Sequence, residues 1–232
     1  AREARKVIVD IDPAELCKLD MDIDVRVTAD AGDFIDAMIA EVDSGAVADK
    51  DRDPWLRRCK DWQARYPVVL PEFWDQTEYV STYVLVDVLS DELVEHDLVV
   101  PGSSGSCSEV TMQTLRAKRG VRVLNTEGLG SMGFGVAAAL GACLASGGRR
   151  TISIEGDGSF HMNAQELEVV RRLGLPLKIF VLNNFGYASI RASQDTYFKR
   201  LVAADATSGM TLPSVTAVAN AYGIATARLE NH

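Results

Sequence analysis

The chain of 232 residues has four cysteines and no Cys-x-x-Cys pair. Cys17, Cys59, Cys107 and Cys143 lie far apart, which argues against a disulfide framework or a zinc site and for reduced thiols in a cytoplasmic protein. Long apolar runs are missing too. The longest candidate, Phe134 to Leu144, is rich in Ala and Gly and falls short of the roughly 18 residues a membrane helix needs, so no membrane partner is expected. Basic charge is in deficit: 24 Lys and Arg face 33 Asp and Glu, a formal net charge of -9 with the signs interspersed. No basic stripe exists to neutralise phosphates, so nucleic acid is not expected as a partner. Internal repeats and low-complexity tracts are also absent. An initiator Met is lacking, a charged run leads straight into KVIVDID, and the close ATARLENH reads as a strand just begun; the sequence is expected to be a segment of a longer protein.

What is present is a globular composition, 47% hydrophobic and 25% charged. Lys6 to Ile11 and Ile23 to Val27 read as strands, the first ended by Asp12-Pro13. Phe34, Ile35, Met38, Ile39 and Val42 recur at helical spacing after Asp30, a suitable N-cap. Residues 1–45 are therefore expected to be the end of an α/β domain. Residues 46–76 are expected to be a linker, with a helix over Trp55 to Tyr66, an extended stretch PVVLPEFWD, and Trp55, Trp62 and Trp74 as its packing residues. From 77 to 232 strands and helices alternate. Strands are expected at 97–100, 122–125, 151–154, 177–182 and from 226. Helices are expected at 79–93, 109–118, 134–146, 163–173 and 212–222, with a loop over 183–190. That alternation predicts βαβ units and a mainly parallel sheet flanked by helices, whose ligands sit beyond the carboxyl ends of the strands.

Three loops at those ends are chemically unusual. Gly102-Ser103-Ser104-Gly105-Ser106 combines glycines and hydroxyls before a helix, which suits an anion, although no Lys follows as in a Walker loop. Glu127 to Gly135 alternates four glycines with larger residues, so that backbone approaches a ligand while Met132 projects; tight helix packing would also use such glycines. The third pairs Gly156-Asp157-Gly158-Ser159 with Asn183-Asn184-Phe185-Gly186-Tyr187, each just past an apolar strand. Neighbouring strands would bring the Asp157 carboxylate near the Asn184 amide oxygen. With a backbone carbonyl they would offer Mg²⁺ the oxygen ligands it requires, leaving room for a diphosphate and water. Each half alone reads as an ordinary turn; the spacing joins them.

GDGSFHMNAQELEVVRRLGLPLKIFVLNN holds Gly-Asp-Gly, 24 intervening residues and Asn-Asn, and so resembles the cofactor signature of thiamine diphosphate-dependent enzymes. EGLGSMGFGVAAALGACLASGG and ARKVIVDIDPAEL are similar to segments of the acetolactate synthase-like branch. The resemblance implies the end of a Rossmann-like middle domain followed by most of the diphosphate-binding domain. It implies that Asp157, Asn184 and the Gly186 carbonyl bind Mg²⁺, and that Gly102, Ser103, Ser104, Gly156, Gly158 and Ser159 lie at the diphosphate. Met132 would support the thiazolium, the Gly130 carbonyl would face the aminopyrimidine, and Ser131 and Tyr187 would line the cofactor.

The same resemblance implies decarboxylation of a 2-oxo acid such as pyruvate followed by carboligation. Alternatives are a simple decarboxylase, a sugar-modifying acyl transferase, or a non-catalytic assembly domain. It places the activating glutamate, and any FAD site, outside this chain, which alone would be inactive. It also implies a homodimer or homotetramer. Ala188-Ser189-Ile190 stands where some decarboxylases of the family carry an acidic residue. Arg191 and Gln194 are candidates for a substrate carboxylate or sugar, and His161 for an acid or base; a solvated loop and a helix start are the plainer readings.

Overall fold

The computed structural model describes residues 3–46, 50–126 and 128–232. The chain divides into two compact units, Ala1–Arg65 and Tyr66–His232.

The first unit contains β1 (Val7–Asp10), α1 (Pro13–Cys17), β2 (Val25–Thr28), α2 (Ala31–Asp43) and α3 (Asp53–Arg65). β1 and β2 pair in parallel from Val7↔Val25 to Asp10↔Thr28. Asp12-Pro13 does more than end β1. Asp12 accepts the Ala14 N–H at 2.8 Å as N-cap, and Pro13 takes the first helical position, where a missing N–H is harmless. Asp30 caps α2 in the same way, accepting the Gly32 N–H at 2.7 Å. Trp55 and Trp62 of α3 meet edge to face at 5.7 Å and both remain exposed. They pack on each other, and Arg58 lies 4.8 Å over the Trp62 ring.

The second unit is built on a four-stranded sheet of order β4-β3-β5-β6, with every pairing parallel. Its strands are β3 (Leu98–Pro101), β4 (Arg122–Val123), β5 (Thr151–Gly156) and β6 (Leu177–Leu182). Its helices are α4 (Pro71–Trp74), α5 (Thr82–Glu92), α6 (Glu109–Thr114), α7 (Phe134–Ala145), α8 (Asp157–Phe160), α9 (Leu167–Leu173), α10 (Ala188–Phe198) and α11 (Val215–Ala221). One apolar cluster joins Val86, Leu89 and Leu93 of the α5 region to Val99, Ile152 and Ile154 of the sheet. A second joins Val136, Phe160, Leu167 and Ala219. Burying each such large side chain contributes roughly 1.5–3 kcal/mol. Because all four strands run the same way, Pro101, Val123, Gly156 and Leu182 end on one edge, where the site is assembled.

Several sequence expectations are corrected. The stretch expected to be extended before 76 contains α4, started by Pro71 at its first position. α6 stops at Thr114 because Leu115 turns extended and Arg116 is drawn to α5: its N–H reaches Ser90 Oγ at 3.1 Å and its guanidinium bonds Asp87 and Asp91. The loop expected through 190 becomes α10 at Ala188. Its large apolar residues, Ile190, Tyr197 and Phe198, are too few and too unevenly spaced to make a stripe that announces the helix. Residues 224–232 form no strand; without a ladder partner the backbone gains nothing by extending. β4 is only two residues long.

Candidate functional site

Asp157 follows β5 directly and begins α8, 1% exposed. Its Oδ1 accepts the Gly158 N–H at 2.9 Å and its Oδ2 accepts the Gly186 N–H at 3.1 Å. Burial pushes this carboxyl above its ordinary range, although the N–H groups of Gly186, Gly158 and Phe185 pull the other way. β5 and β6 are adjacent, with Gly156 opposite Leu182, so the loop after β6 lies against Asp157.

Asn184 is the second informative residue. Its Oδ1 is buried and has no hydrogen-bond partner among the described residues. An orphaned buried amide oxygen is costly, on the order of 1–3 kcal/mol, and calls for an explanation. Gly186 sits at φ 152°, and a Cβ there would strike the Ala204 carbonyl oxygen. The Tyr187 N–H donates to that same carbonyl at 2.9 Å, and Gly186 forms an antiparallel bridge with Asp205. Only glycine lets the loop lie this close to 204–205.

The remaining residues converge from two other loops. A Cβ on Gly158 would run into the Tyr187 ring and lie 3.5 Å from Met132 Cε, so Gly158, Tyr187 and Met132 are neighbours. A Cβ on Gly130, at φ 58°, would lie 3.3 Å from the Ser103 carbonyl oxygen. The Gly-rich turn thus meets the loop after β3. Ser103 and Gly102 are buried, whereas Ser104 and Ser131 are exposed. A Cβ on Gly156 would meet nothing within 4 Å, so that glycine leaves open space. Ser159 Oγ accepts the Gly133 N–H at 2.7 Å, and Asn163 Nδ2 donates to the Gly133 carbonyl at 2.7 Å.

Three candidate residues are otherwise engaged. His161 Nε2 lies 2.9 Å from the Pro213 carbonyl. Gln194 exchanges hydrogen bonds with the Val202 backbone at 2.8 and 3.1 Å and so shapes the turn after α10. Arg191 contacts Asp205 at 3.4 Å and the Asn184 carbonyl at 3.4 Å. All three remain partly exposed.

Sequence reasoning missed Glu155. This β5 residue is fully buried beside Gly102, Gly135 and Cys107. Burial pushes its carboxyl above the ordinary range, with the Ser159 hydroxyl and the Gly156, Gly135 and Val136 N–H groups opposing. Burial and the nearby Glu155 push the Cys107 thiol up to about 11, which makes it unreactive. The available signal was one acidic residue inside the apolar alternation of TISIEG.

Among the described residues no three His, Cys, Asp or Glu side chains cluster as a metal site, and no helix is long and apolar enough to cross a membrane. The donors on the two adjoining loops, the Asp157 carboxylate and the Asn184 amide oxygen, are hard oxygen ligands. They fit Mg²⁺ and do not fit a soft thiolate site.

A family model for the thiamine pyrophosphate enzyme C-terminal TPP-binding domain matches residues 103–232. The chain is 34% identical, over 97% of its length, to an acetolactate synthase large subunit of Parasynechococcus marenigrum, of which it covers 35%. It is 33% identical over 86% of its length to the chloroplastic acetolactate synthase 1 of Zea mays, covering 31% of that protein. It is 29% identical over 98% of its length to the acetolactate synthase isozyme 1 large subunit of Escherichia coli K12, covering 38% of that protein. The chain therefore spans roughly a third of the length of the curated relatives it matches.

Proposed function

This chain belongs to the thiamine pyrophosphate enzyme family, and from that premise we propose that it is the Mg²⁺–diphosphate-binding part of a 2-oxo acid decarboxylating carboligase resembling acetolactate synthase. The observation that carries the reading is the buried Asn184 Oδ1, unpartnered among the described residues, on the loop whose Gly186 N–H is fastened to the Asp157 carboxylate. Asp157, Asn184 and the Gly186 carbonyl would hold Mg²⁺. Gly102, Ser103, Ser104, Gly156, Gly158 and Ser159 would receive the diphosphate through backbone N–H groups and hydroxyls. Met132 would support the thiazolium. Gly130, Ser131 and Tyr187 would line the rest of the cofactor.

Thiamine diphosphate, when bound, would supply the nucleophilic carbon and electron sink that 2-oxo acid chemistry needs. The chain's own residues bind and orient. The missing Cβ of Gly158 leaves room for the Tyr187 ring, with Met132 Cε close by. The activating group would come from outside these residues, so the chain alone would be inactive. Transferase or lyase activity, pyruvate as donor, FAD elsewhere in the full-length protein, a cytoplasmic setting and a homodimer or homotetramer belong to the same proposal. So does the division into a middle-domain end (1–45), a linker (46–76) and a cofactor domain (77–232).

Calorimetric titration of the full-length protein with thiamine diphosphate and Mg²⁺ tests this reading. Saturable binding is expected, and Asp157→Ala should abolish it. Unchanged binding in that variant would remove Asp157 from the metal site. Release of CO₂ from pyruvate tests the reaction; no release from any 2-oxo acid would leave only a cofactor-binding assembly role.

A further inference from the structure

Glu155 is the buried polar group to which the proposed function assigns no task. Side chains alternate along β5, so Ile152 and Ile154 enter the apolar cluster and Glu155 faces the other way. There it is fully enclosed. Enclosing a carboxyl costs several kcal/mol unless its surroundings compensate. Its Oε1 accepts the Gly156 N–H at 3.1 Å, while Oε2 has no hydrogen-bond partner among the described residues.

The surroundings are shaped around this group. A Cβ on Gly102 would fall on Glu155 Oε1 and lie 2.9 Å from Cys107 Sγ. A Cβ on Gly135 would fall on Oε2, 2.9 Å from the carboxyl carbon and 3.4 Å from Gly102 Cα. The carboxyl thus fills the room of two absent side chains, between the loop after β3 and the first turn of α7. That helix end favours a carboxyl electrostatically. The Gly156 N–H that Glu155 holds opens the turn that carries Asp157, and Ser159 of that turn accepts the Gly133 N–H at 2.7 Å. A single side chain therefore touches three segments: the Gly102 loop, the Gly-rich turn with the start of α7, and the turn that carries Asp157.

We propose that Glu155 is a positioning residue that locks these three loops in register, so that the diphosphate and thiazolium supports are preformed before the cofactor arrives. This rests on the cofactor reading above. The device works by reach and shape: a shorter side chain leaves a gap, and an amide of equal length keeps the geometry.

The test uses the full-length protein, titrated with thiamine diphosphate and Mg²⁺, with thermal unfolding recorded without cofactor. Glu155→Gln should bind within about threefold of the unaltered protein, whereas Glu155→Ala should raise the cofactor Kd at least about tenfold. In activity assays the Ala variant should raise the KM for cofactor more than it lowers kcat. Gly135→Ala should lower Tm and weaken binding in the native background, and cost far less when combined with Glu155→Ala, since the new Cβ enters vacated room. Should Glu155→Ala fail to fold, Glu155→Asp takes its place, with the same loss expected from its shorter reach. Native affinity in Glu155→Ala or Glu155→Asp, or an equal cost of Gly135→Ala in both backgrounds, would overturn the inference alone. An unaltered protein that takes up no thiamine diphosphate would overturn the functional reading and this inference with it.

Discussion

Asn184 and Gly186 sit two residues apart and test the site in opposite ways. The Asn184 Oδ1 is buried without a partner among the described residues, so its desolvation works against the cofactor-free fold. Asn184→Ala should therefore leave the cofactor-free Tm unchanged or slightly raised, while Mg²⁺-dependent cofactor binding weakens about tenfold or more. A large loss of Tm without cofactor would mean that Asn184 is structural. Gly186→Ala should behave differently, because its Cβ meets backbone that cannot give way. A loss of about 2–4 kcal/mol is expected in denaturant unfolding, with binding lost as a consequence. Sequence alone could nominate both residues from the Asn-Asn spacing. It could not show that Asn184 is orphaned, since that depends on which atoms surround it.

At the scale of elements, Asp97 ties the end of α5 to the start of β5. It is buried, its Oδ1 accepts from Arg150 Nε at 3.0 Å and its Oδ2 from the Val94 N–H at 2.8 Å. Burial alone would raise its carboxyl, but the Arg150 hydrogen bond, the Val94 N–H and the charges of Arg150 and Arg149 outweigh it and hold it below the usual range. A folded-state value below the unfolded one gives stabilisation that is full above about pH 4 and is lost as pH falls through the folded value. Asp97→Asn should cost about 2–3 kcal/mol near neutral pH, and its difference from the unaltered protein should shrink as the pH falls to about 2. A difference constant with pH would show that charge is not what Asp97 contributes. The elements themselves were legible to different degrees. α2 and β6 announce themselves by period and length. α10 does not, because its few large apolar residues, Ile190, Tyr197 and Phe198, do not recur every three or four positions. α4 hid behind its prolines, which were read as breaking structure although Pro71 starts it.

For the whole molecule, cofactor binding should appear as stability. A ligand that binds only the folded state adds about 2.7 kcal/mol at 100 times its Kd, and a transition of 150–250 residues shifts by roughly 2–4 °C per kcal/mol. Thiamine diphosphate with Mg²⁺ at that excess should thus raise Tm by about 5–10 °C, and neither component alone should do so. An equal shift with Mg²⁺ alone would point to a cation site independent of the diphosphate. Sedimentation of the full-length protein should find at least a dimer.

The sequence by itself determined the α/β class, the parallel order implied by alternating strands and helices, and the pairing of Gly156-Asp157-Gly158 with Asn183-Asn184. Each of these is written in local pattern, period and spacing. Tertiary structure alone decided that Glu155 is enclosed between Gly102 and Gly135, that Gly158 makes room for Tyr187, and that Gln194 and His161 are occupied within the fold. Those facts depend on residues far apart in the chain meeting at one sheet edge. A glycine's missing side chain shows its purpose only when the atom filling its place is known.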